Sequence, residues 1–329
     1  MTAKFRNVMQ PAGRHRVLVV MGRDVDPARD SGVAIIEEAL MRGLRVDVCA
    51  GADLCFTAGG AAAEARAVHA AGVAGLALED PAGVPLTRYD AILIRTDPPF
   101  DAAALEATLL LEHARGRALM INDPRGLREV NEKLFALRFA AFAPPTAVLR
   151  EPAAIHAFCI EQGGVCVVKP LDGCGGRGVF VLRADDPNAG VIVDVATGDG
   201  RRRVIVQAWL PVTETGDKRI FLLDGEPAGA LLRMPSGSDV RANLCRGGCA
   251  HATTLTARER EIASAVGAAC RALGLVFVGI DVIDGRLTEV NVTSPTGLRE
   301  LEQLTGRRVQ AQIVDWMQAR FRRDLRVVA

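Results

Sequence analysis

Over the first third of the chain, apolar runs of strand length alternate with amphipathic stretches. Residues 15–22 read as a buried strand, 32–42 as an amphipathic helix, and 44–49 as a second strand. Residues 90–95 form another apolar strand, followed by a helix over 102–115 and a short strand over 118–121. Unbroken apolar strands separated by helices predict a parallel sheet with helices on both faces. Ligands of such sheets bind beyond the carboxyl ends of the strands. Asp30, Ser31 and Arg95 all fall at such ends. The alanine- and glycine-rich region 57–83 is weakly patterned, and the expectation there is one helix with loops.

From about residue 123 the texture changes. Asn122-Asp123-Pro124 is a helix-start signal, predicting a helix to about 139 that Pro144-Pro145 closes. A helix over 151–162 precedes a strand over 165–170, a glycine loop and a strand over 179–182. A helical or irregular stretch then leads to a strand at 204–207. Strands at 218–223 and 227–234 are joined at Asp224-Gly225, and a helix over 256–273 follows. A strand over 276–283 turns at Asp284-Gly285 and returns carrying Glu289 and Asn291. Two helices, about 297–304 and 307–323, finish the chain. The expected division is an N-terminal α/β region (1–123), a central region carrying the glycine loop (124–203) and a C-terminal region (204–329).

Composition narrows the class. At 329 residues, with 49% hydrophobic and 24% charged positions, the chain can build more than one packed core. Forty basic against 39 acidic residues remove any bulk electrostatic case for nucleic acid or an anionic membrane. No apolar run is long enough for a bilayer, and residues 1–16 lack the apolar core of a secretory signal. A soluble cytoplasmic protein is the expectation. The eight cysteines show no C-x-x-C pair, so reduced thiols are expected, with Cys174, Cys245 and Cys249 in glycine-rich, more exposed segments.

The chemistry is concentrated in two places. Side chains two apart on a strand share a face, so Glu289 and Asn291 project together, and the Asp284-Gly285 turn brings Asp281 toward them. Two carboxylates and an amide oxygen are hard ligands suited to Mg²⁺ shared with phosphates. An ordinary hairpin with solvated acids gives the same pattern, so this feature needs support elsewhere. Lys169 ends an apolar strand, and Asp172-Gly-Cys-Gly-Gly-Arg-Gly178 follows at once. The loop matches neither G-x-x-x-x-G-K-[ST] nor a dinucleotide fingerprint, since it leads into a strand. A glycine loop between two strands fits a flap over phosphates. Lys133 lies upstream, the apolar end Gln207-Ala-Trp-Leu210 could line a base pocket, and Arg219 and Arg233 are carried on strands beside the acidic hairpin.

Lysine, strand, glycine flap, arginine-bearing strands and then D…E-x-N, in that order, resemble an ATP-grasp ligase. More specifically, the chain is similar to the bacterial glutathione synthetase family from its first strand to its last helix. The motifs that carry the resemblance are Arg95-Thr-Asp-Pro-Pro-Phe-Asp101, Asn131-Glu-Lys-Leu-Phe135, Lys169-Pro-Leu-Asp-Gly173, Gly216-Asp-Lys-Arg219, Asp224-Gly-Glu-Pro227 and Leu287-Thr-Glu-Val-Asn-Val-Thr-Ser-Pro-Thr296.

The resemblance implies an ATP-grasp fold: a doubly wound parallel α/β domain, then a two-part α+β ATP-binding region in which 124–203 is a mobile central lid. It implies that Lys133 and Lys169 contact ATP phosphates under the flap of Gly173, Gly175 and Gly176, and that Gln207, Ala208, Trp209 and Leu210 hold adenine with Asp217 near the ribose. It makes Asp281, Glu289 and Asn291 the ligands of Mg²⁺, with Mn²⁺ as the alternative ion. Arg219 and Arg233 become catalytic, and Asp30, Ser31, Arg95, Arg241, Asn243, Ser294 and Thr296 surround the substrates. The implied reaction joins γ-glutamylcysteine to glycine through an acyl phosphate, giving glutathione, ADP and phosphate, in a homo-oligomer.

Three departures bear on substrate choice. The family commonly carries a basic residue where Thr96 stands and a hydroxyl residue where Gly32 stands. Its Gly-Gly-Arg-Gly-Glu is replaced by Gly247-Gly-Cys249-Ala-His251. A paralogous ligase for another thiol peptide or amine therefore stays open beside the main reading, as does a nucleotide-binding sensor that has lost ligation.

Overall fold

The structure is a computed structural model that describes residues 13–236 and 241–327. The first sheet is built from β1 (Arg16–Met21), β2 (Arg45–Cys49), β3 (Leu54–Thr57), β4 (Gly60–Gly72), β5 (Gly75–Leu78), β6 (Ala82–Pro85), β7 (Ala91–Arg95) and β8 (Leu119–Ile121). Helices α1 (Ser31–Met41) and α2 (Ala102–Leu111) complete this region. Its strand order is β3-β4-β2-β1-β7-β8, with β5 and β6 both paired to β4. The central pairs β1–β2, β1–β7 and β7–β8 are parallel, as unbroken apolar strands require of a sheet buried on both faces. At the carboxyl end of β1 the chain turns into α1, whose first turn is capped by Asp30: its carboxylate accepts from Val33 N at 2.8 Å.

The single helix expected over 57–83 is absent. In its place β4 runs antiparallel to β2, β3, β5 and β6. Its Ala63 and Ala65 are buried, whereas Glu64 and Arg66 alternating with them are exposed. That is the period of a strand, but alanine gives weak hydrophobic contrast and a helical propensity that points the wrong way.

After α3 (Pro124–Glu129) the expected long helix breaks. Asn131 accepts from Lys133 N at 3.1 Å and from Leu134 N at 3.0 Å through its side chain, starting a fresh turn ahead of a 3₁₀ segment over Phe135–Phe139. The next unit comprises β9 (Thr146–Leu149), α4 (Pro152–Glu161), β10 (Val165–Pro170), β11 (Phe180–Arg183), α5 (Ala189–Thr197) and β12 (Val204–Ala208). Its four strands form an antiparallel sheet in the order β11-β10-β12-β9. Strand β9, unforeseen because it is four residues directly after a proline pair, seals the β12 edge.

The chain continues through α6 (Val212–Thr215), β13 (Asp217–Leu223), β14 (Glu226–Met234), β15 (Cys249–Ala252), α7 (Ala257–Ala272), β16 (Phe277–Ile283), β17 (Arg286–Asn291), α8 (Leu298–Thr305) and α9 (Val309–Val327). The strand order is β15-β14-β13-β16-β17. Edge strand β15, with its Cys-Ala-His-Ala sequence, carries no apolar alternation and was also unforeseen. Two Asp-Gly turns close hairpins, with φ of +51° and +82° at Asp224-Gly225 and +47° and +67° at Asp284-Gly285. Helix α7 starts on a capping box in which Thr256 and Glu259 exchange side-chain and backbone bonds.

Three hydrophobic cores result. Two run continuously through the first sheet and the C-terminal sheet: Leu18 shares one with Ile280, and Val19 shares the other with Phe277. Leu127, Val130 and Phe135 belong to the first of these. The third, around Ile155, Cys166, Val168, Leu182, Val193 and Val206, contains only residues of the four-stranded unit. The shared body is also cross-linked by buried Asn122, which donates to Phe277 O at 2.9 Å and Val292 O at 2.6 Å and accepts from Phe277 N at 2.8 Å.

Candidate active site

A cleft of about 610 Å³ opens between the four-stranded unit and the C-terminal sheet. Its floor is made by strand register. Asp217 pairs with Arg233 across β13 and β14, Arg219 with Asp281 across β13 and β16, and Asp281 with Glu289 across β16 and β17. Arg219 grips Asp281 with two bonds, Nε to Oδ1 at 2.8 Å and Nη2 to Oδ2 at 2.7 Å. Arg233 Nη2 lies 2.6 Å from Asp217 Oδ2 and 3.0 Å from Asp281 Oδ2. Asn291 donates to Asp281 Oδ2 at 3.2 Å. The result is a row of alternating charge, Asp217–Arg233–Asp281–Arg219, of which Arg233, Asp281 and Arg219 are buried and Asp217 is partly exposed.

Burial alone would raise the Asp281 carboxyl, but Arg219 and Arg233 hold it well below the usual carboxylate range. Asp217 goes the other way: burial pushes it up, and Arg233 only partly opposes that. Among the described residues no group of three or more His, Cys, Asp or Glu stands ready to hold a metal alone. Asp281, Glu289 and Asn291 nonetheless offer two carboxylates and one amide oxygen to one cleft, a hard-oxygen set that fits a divalent cation sharing its shell with phosphate.

Two lysines face this floor. Lys133, 6% exposed, pairs with Glu289 Oε1 at 2.8 Å and also donates to Gly173 O. Burial opposes its charge, yet Glu289 carries it above the ordinary lysine value. Lys169 Nζ donates to Gln207 Oε1 at 2.9 Å, and burial pushes it below the ordinary value. At the same end, Ala208, Trp209 and Leu210 line the cleft with Val167, Val181 and Ile283, an apolar slot beside a polar Gln207.

The glycine loop closes over the cleft mouth. Gly175 and Gly176 have φ of +57° and +72°, which L side chains rarely adopt. A Cβ on Gly176 would come within 2.7 Å of Asn243 Oδ1 and 2.9 Å of Arg241 Cδ. Arg241 donates to Gly176 O at 3.2 Å, and Arg246 donates to Gly175 O at 3.2 Å. The loop therefore seats on the 241–246 segment across the cleft.

Ser294 and Thr296 also line the cleft. Asp30, Ser31 and Arg95 do not line it; they sit behind it. Ser31 Oγ accepts from Leu298 N at 3.2 Å, and Arg95 donates to Pro295 O at 3.0 Å, so both hold the 294–298 loop in place. Arg95 packs over the Phe277 ring, and among the described residues its Nε and Nη1, like Ser294 Oγ, are buried without a hydrogen-bond partner.

Glu132 also belongs to this cleft, although nothing in its local sequence marks it except its neighbour Lys133. It accepts from Val292 N (2.9 Å), Thr293 N (3.1 Å) and Thr293 Oγ1 (2.9 Å), tying the Lys133 segment to the strand that carries Asn291. Burial and the nearby Glu289 carboxylate raise its pKa.

Two family models cover this chain. Residues 16–128 match the N-terminal domain of prokaryotic glutathione synthetase, and residues 132–306 match its ATP-grasp domain. The chain belongs to the prokaryotic glutathione synthetase family. It is 42% identical over 309 residues to the glutathione synthetase of Synechocystis sp., covering 90% of this chain and 96% of that one. It is 37% identical over 322 residues to that of Vibrio parahaemolyticus, covering 93% and 99%. This synthetase-family ligase also shares its fold with more distant solved structures. D-cycloserine synthetase DcsG superposes with a TM-score of 0.64 at 20% identity, over 92% of this chain and 99% of that one. ATP-grasp ligase PsnB does so at 0.61 and 20%, over 93% and 99%. Among the described residues of this family member, no helix is long and apolar enough to cross a membrane.

The departures from the family pattern can be placed too. A Cβ at Gly32 would come within 2.9 Å of Asp30 Oδ1 and 3.7 Å of Arg95 Nε, so a side chain there would displace the Asp30 carboxylate and lie beside Arg95. Cys249 and His251 lie on β15, away from the cleft lining, while Arg246 on the same segment is part of that lining.

Proposed function

We propose that this chain ligates γ-glutamylcysteine to glycine at the expense of ATP, giving glutathione, ADP and phosphate through an acyl phosphate. The observation that carries the reading is one cleft in which two lysines and a glycine flap face the Asp281–Glu289–Asn291 set beside two strand-borne arginines.

A carboxylate is a poor electrophile, so it must first take the γ-phosphoryl group of ATP. Lys133 and Lys169 would hold the phosphates while Gly173, Gly175 and Gly176 cover them. Gln207, Ala208, Trp209 and Leu210 would take adenine, and Asp217 Oδ1, buried and unpartnered, is an acceptor for a ribose hydroxyl. Asp281, Glu289 and Asn291 would hold Mg²⁺, or Mn²⁺ in its place, which when bound offsets phosphate charge. Arg219 and Arg233 would stabilise charge on the transferring phosphoryl group and then on the tetrahedral adduct formed by the glycine amine. Arg241, Asn243, Ser294 and Thr296 would line the peptide site, with Asp30, Ser31 and Arg95 acting from behind. No side-chain nucleophile enters, so the cysteines have no step to perform.

The lid expected over 124–203 is proposed to be the four-stranded sheet with its own core, and closure would keep water from the acyl phosphate. A homo-oligomer belongs to the same reading. The test is ADP release with Mg-ATP and γ-glutamylcysteine, with and without glycine, and the product identified by mass. Glycine-dependent release of glutathione is expected; turnover only with another amine or thiol peptide would refute the substrate assignment.

A further inference from the structure

We infer that Asp217 is a positioning residue that sets how readily Asp281 is given up to a metal, by serving as the alternative counter-ion of Arg233. The inference rests on the metal role of Asp281 proposed above. Both oxygens of Asp281 are taken: Oδ1 by Arg219, and Oδ2 by Arg219, Arg233 and Asn291. A cation that takes this carboxylate must displace those donors. Arg233 is 3% exposed, and a buried guanidinium left without a counter-ion is strongly disfavoured. Its Nη2 is shared between two acids, and the contact to Asp217 (2.6 Å) is shorter than that to Asp281 (3.0 Å).

Strand register keeps the Asp217 contact in place. Asp217 and Arg233 are direct partners on β13 and β14, so neither depends on Asp281 for its position. Among the described residues Arg233 Nε has no hydrogen-bond acceptor. With Asp217 present, Asp281 can turn to a metal while Arg233 stays neutralised and aimed at the cleft. Without it, Asp281 is the sole counter-ion of Arg233 among the described residues, and the metal competes against two arginines at once. This role uses Asp217 Oδ2 and is separate from the ribose contact assigned to Oδ1.

The test is calorimetric titration of Mg²⁺ into the full chain saturated with ADP, for wild type, Asp217→Asn, Arg233→Met and the double variant. Circular dichroism and melting confirm that each is folded. Asp217→Asn is expected to raise half-saturating Mg²⁺ by about fivefold or more, the scale of one close charge pair. In the Arg233→Met background the same change is expected to move it by less than about twofold, because Asp217 acts through Arg233. Asp217→Glu is expected to restore the wild-type value. An Asp217→Asn shift that persists undiminished without Arg233 would mean simple through-space attraction of the cation and overturn the inference, as would no shift. Asp281→Asn separates the two levels: if it leaves Mg²⁺ binding unchanged, the metal assignment itself fails.

Discussion

Replacing Gly176 with alanine opposes flap closure at a single atom. The residue sits at φ +72°, where an L side chain costs about 1–2 kcal/mol. The new Cβ would also approach Asn243 Oδ1 to 2.7 Å and Arg241 Cδ to 2.9 Å, so the 241–246 segment must shift or the flap must stand off. Both penalties fall on the closed arrangement, since an open loop is free to leave the left-handed region. The 1–2 kcal/mol of strain alone corresponds to roughly 5- to 30-fold in the closure equilibrium, and the contacts add to it. The expected result is a fall of at least about fivefold in kcat/KM for ATP, with a thermal midpoint within about 2 °C of wild type in the absence of nucleotide. Gly116→Ala is the control: φ is +80° there with nothing within 4 Å, so it costs stability and leaves kinetics alone. A Gly176→Ala enzyme with unchanged kcat/KM, or one whose loss matches its melting shift, would refute the closure argument.

Further outcomes follow from the geometry. Asn122→Ala strands Phe277 N and two carbonyls inside the shared body, costing roughly 2–4 kcal/mol and lowering the melting midpoint by about 5 °C or more. Because burial depresses Lys169, nucleotide affinity should fall with rising pH earlier than an ordinary lysine would allow; Lys169→Arg should remove that limb in ADP titrations over about pH 7–10. Stability without nucleotide should move oppositely: between the depressed and ordinary lysine values the unfolded chain binds more protons, so stability rises with pH. Chelation by EDTA should abolish ADP release, and Mg²⁺ or Mn²⁺ should restore it, measured by coupled ADP assay.

Much of the site was legible because it is written in short-range rules. The Asp284-Gly285 turn fixes how Asp281 meets Glu289 and Asn291, and a glycine run between two apolar strands marks the flap. What local rules cannot express is pairing between distant strands. Nothing near Arg219, Arg233 or Asp217 in the chain announces that they alternate with Asp281 in one row; that follows only from the register of three strands. Glu132 was hidden for the same reason, since the donors it accepts from lie about 160 residues away. The misread helix over 57–83 has a different origin: its inward positions are alanines, too small to show a strand's alternation against their neighbours.

The separate core of the four-stranded unit has a consequence for how the molecule breathes. The rest of the described chain shares cores that join its first and last thirds, so those parts must open together or stay shut. The unit around Ile155, Val168 and Val206 owes its cohesion to itself alone. Its amides are expected to exchange as a cooperative unit of their own, losing protection while the body remains intact, which deuterium exchange would show. A nucleotide clamped between the two would then protect β10 and β12 from deuterium out of proportion to the atoms it touches.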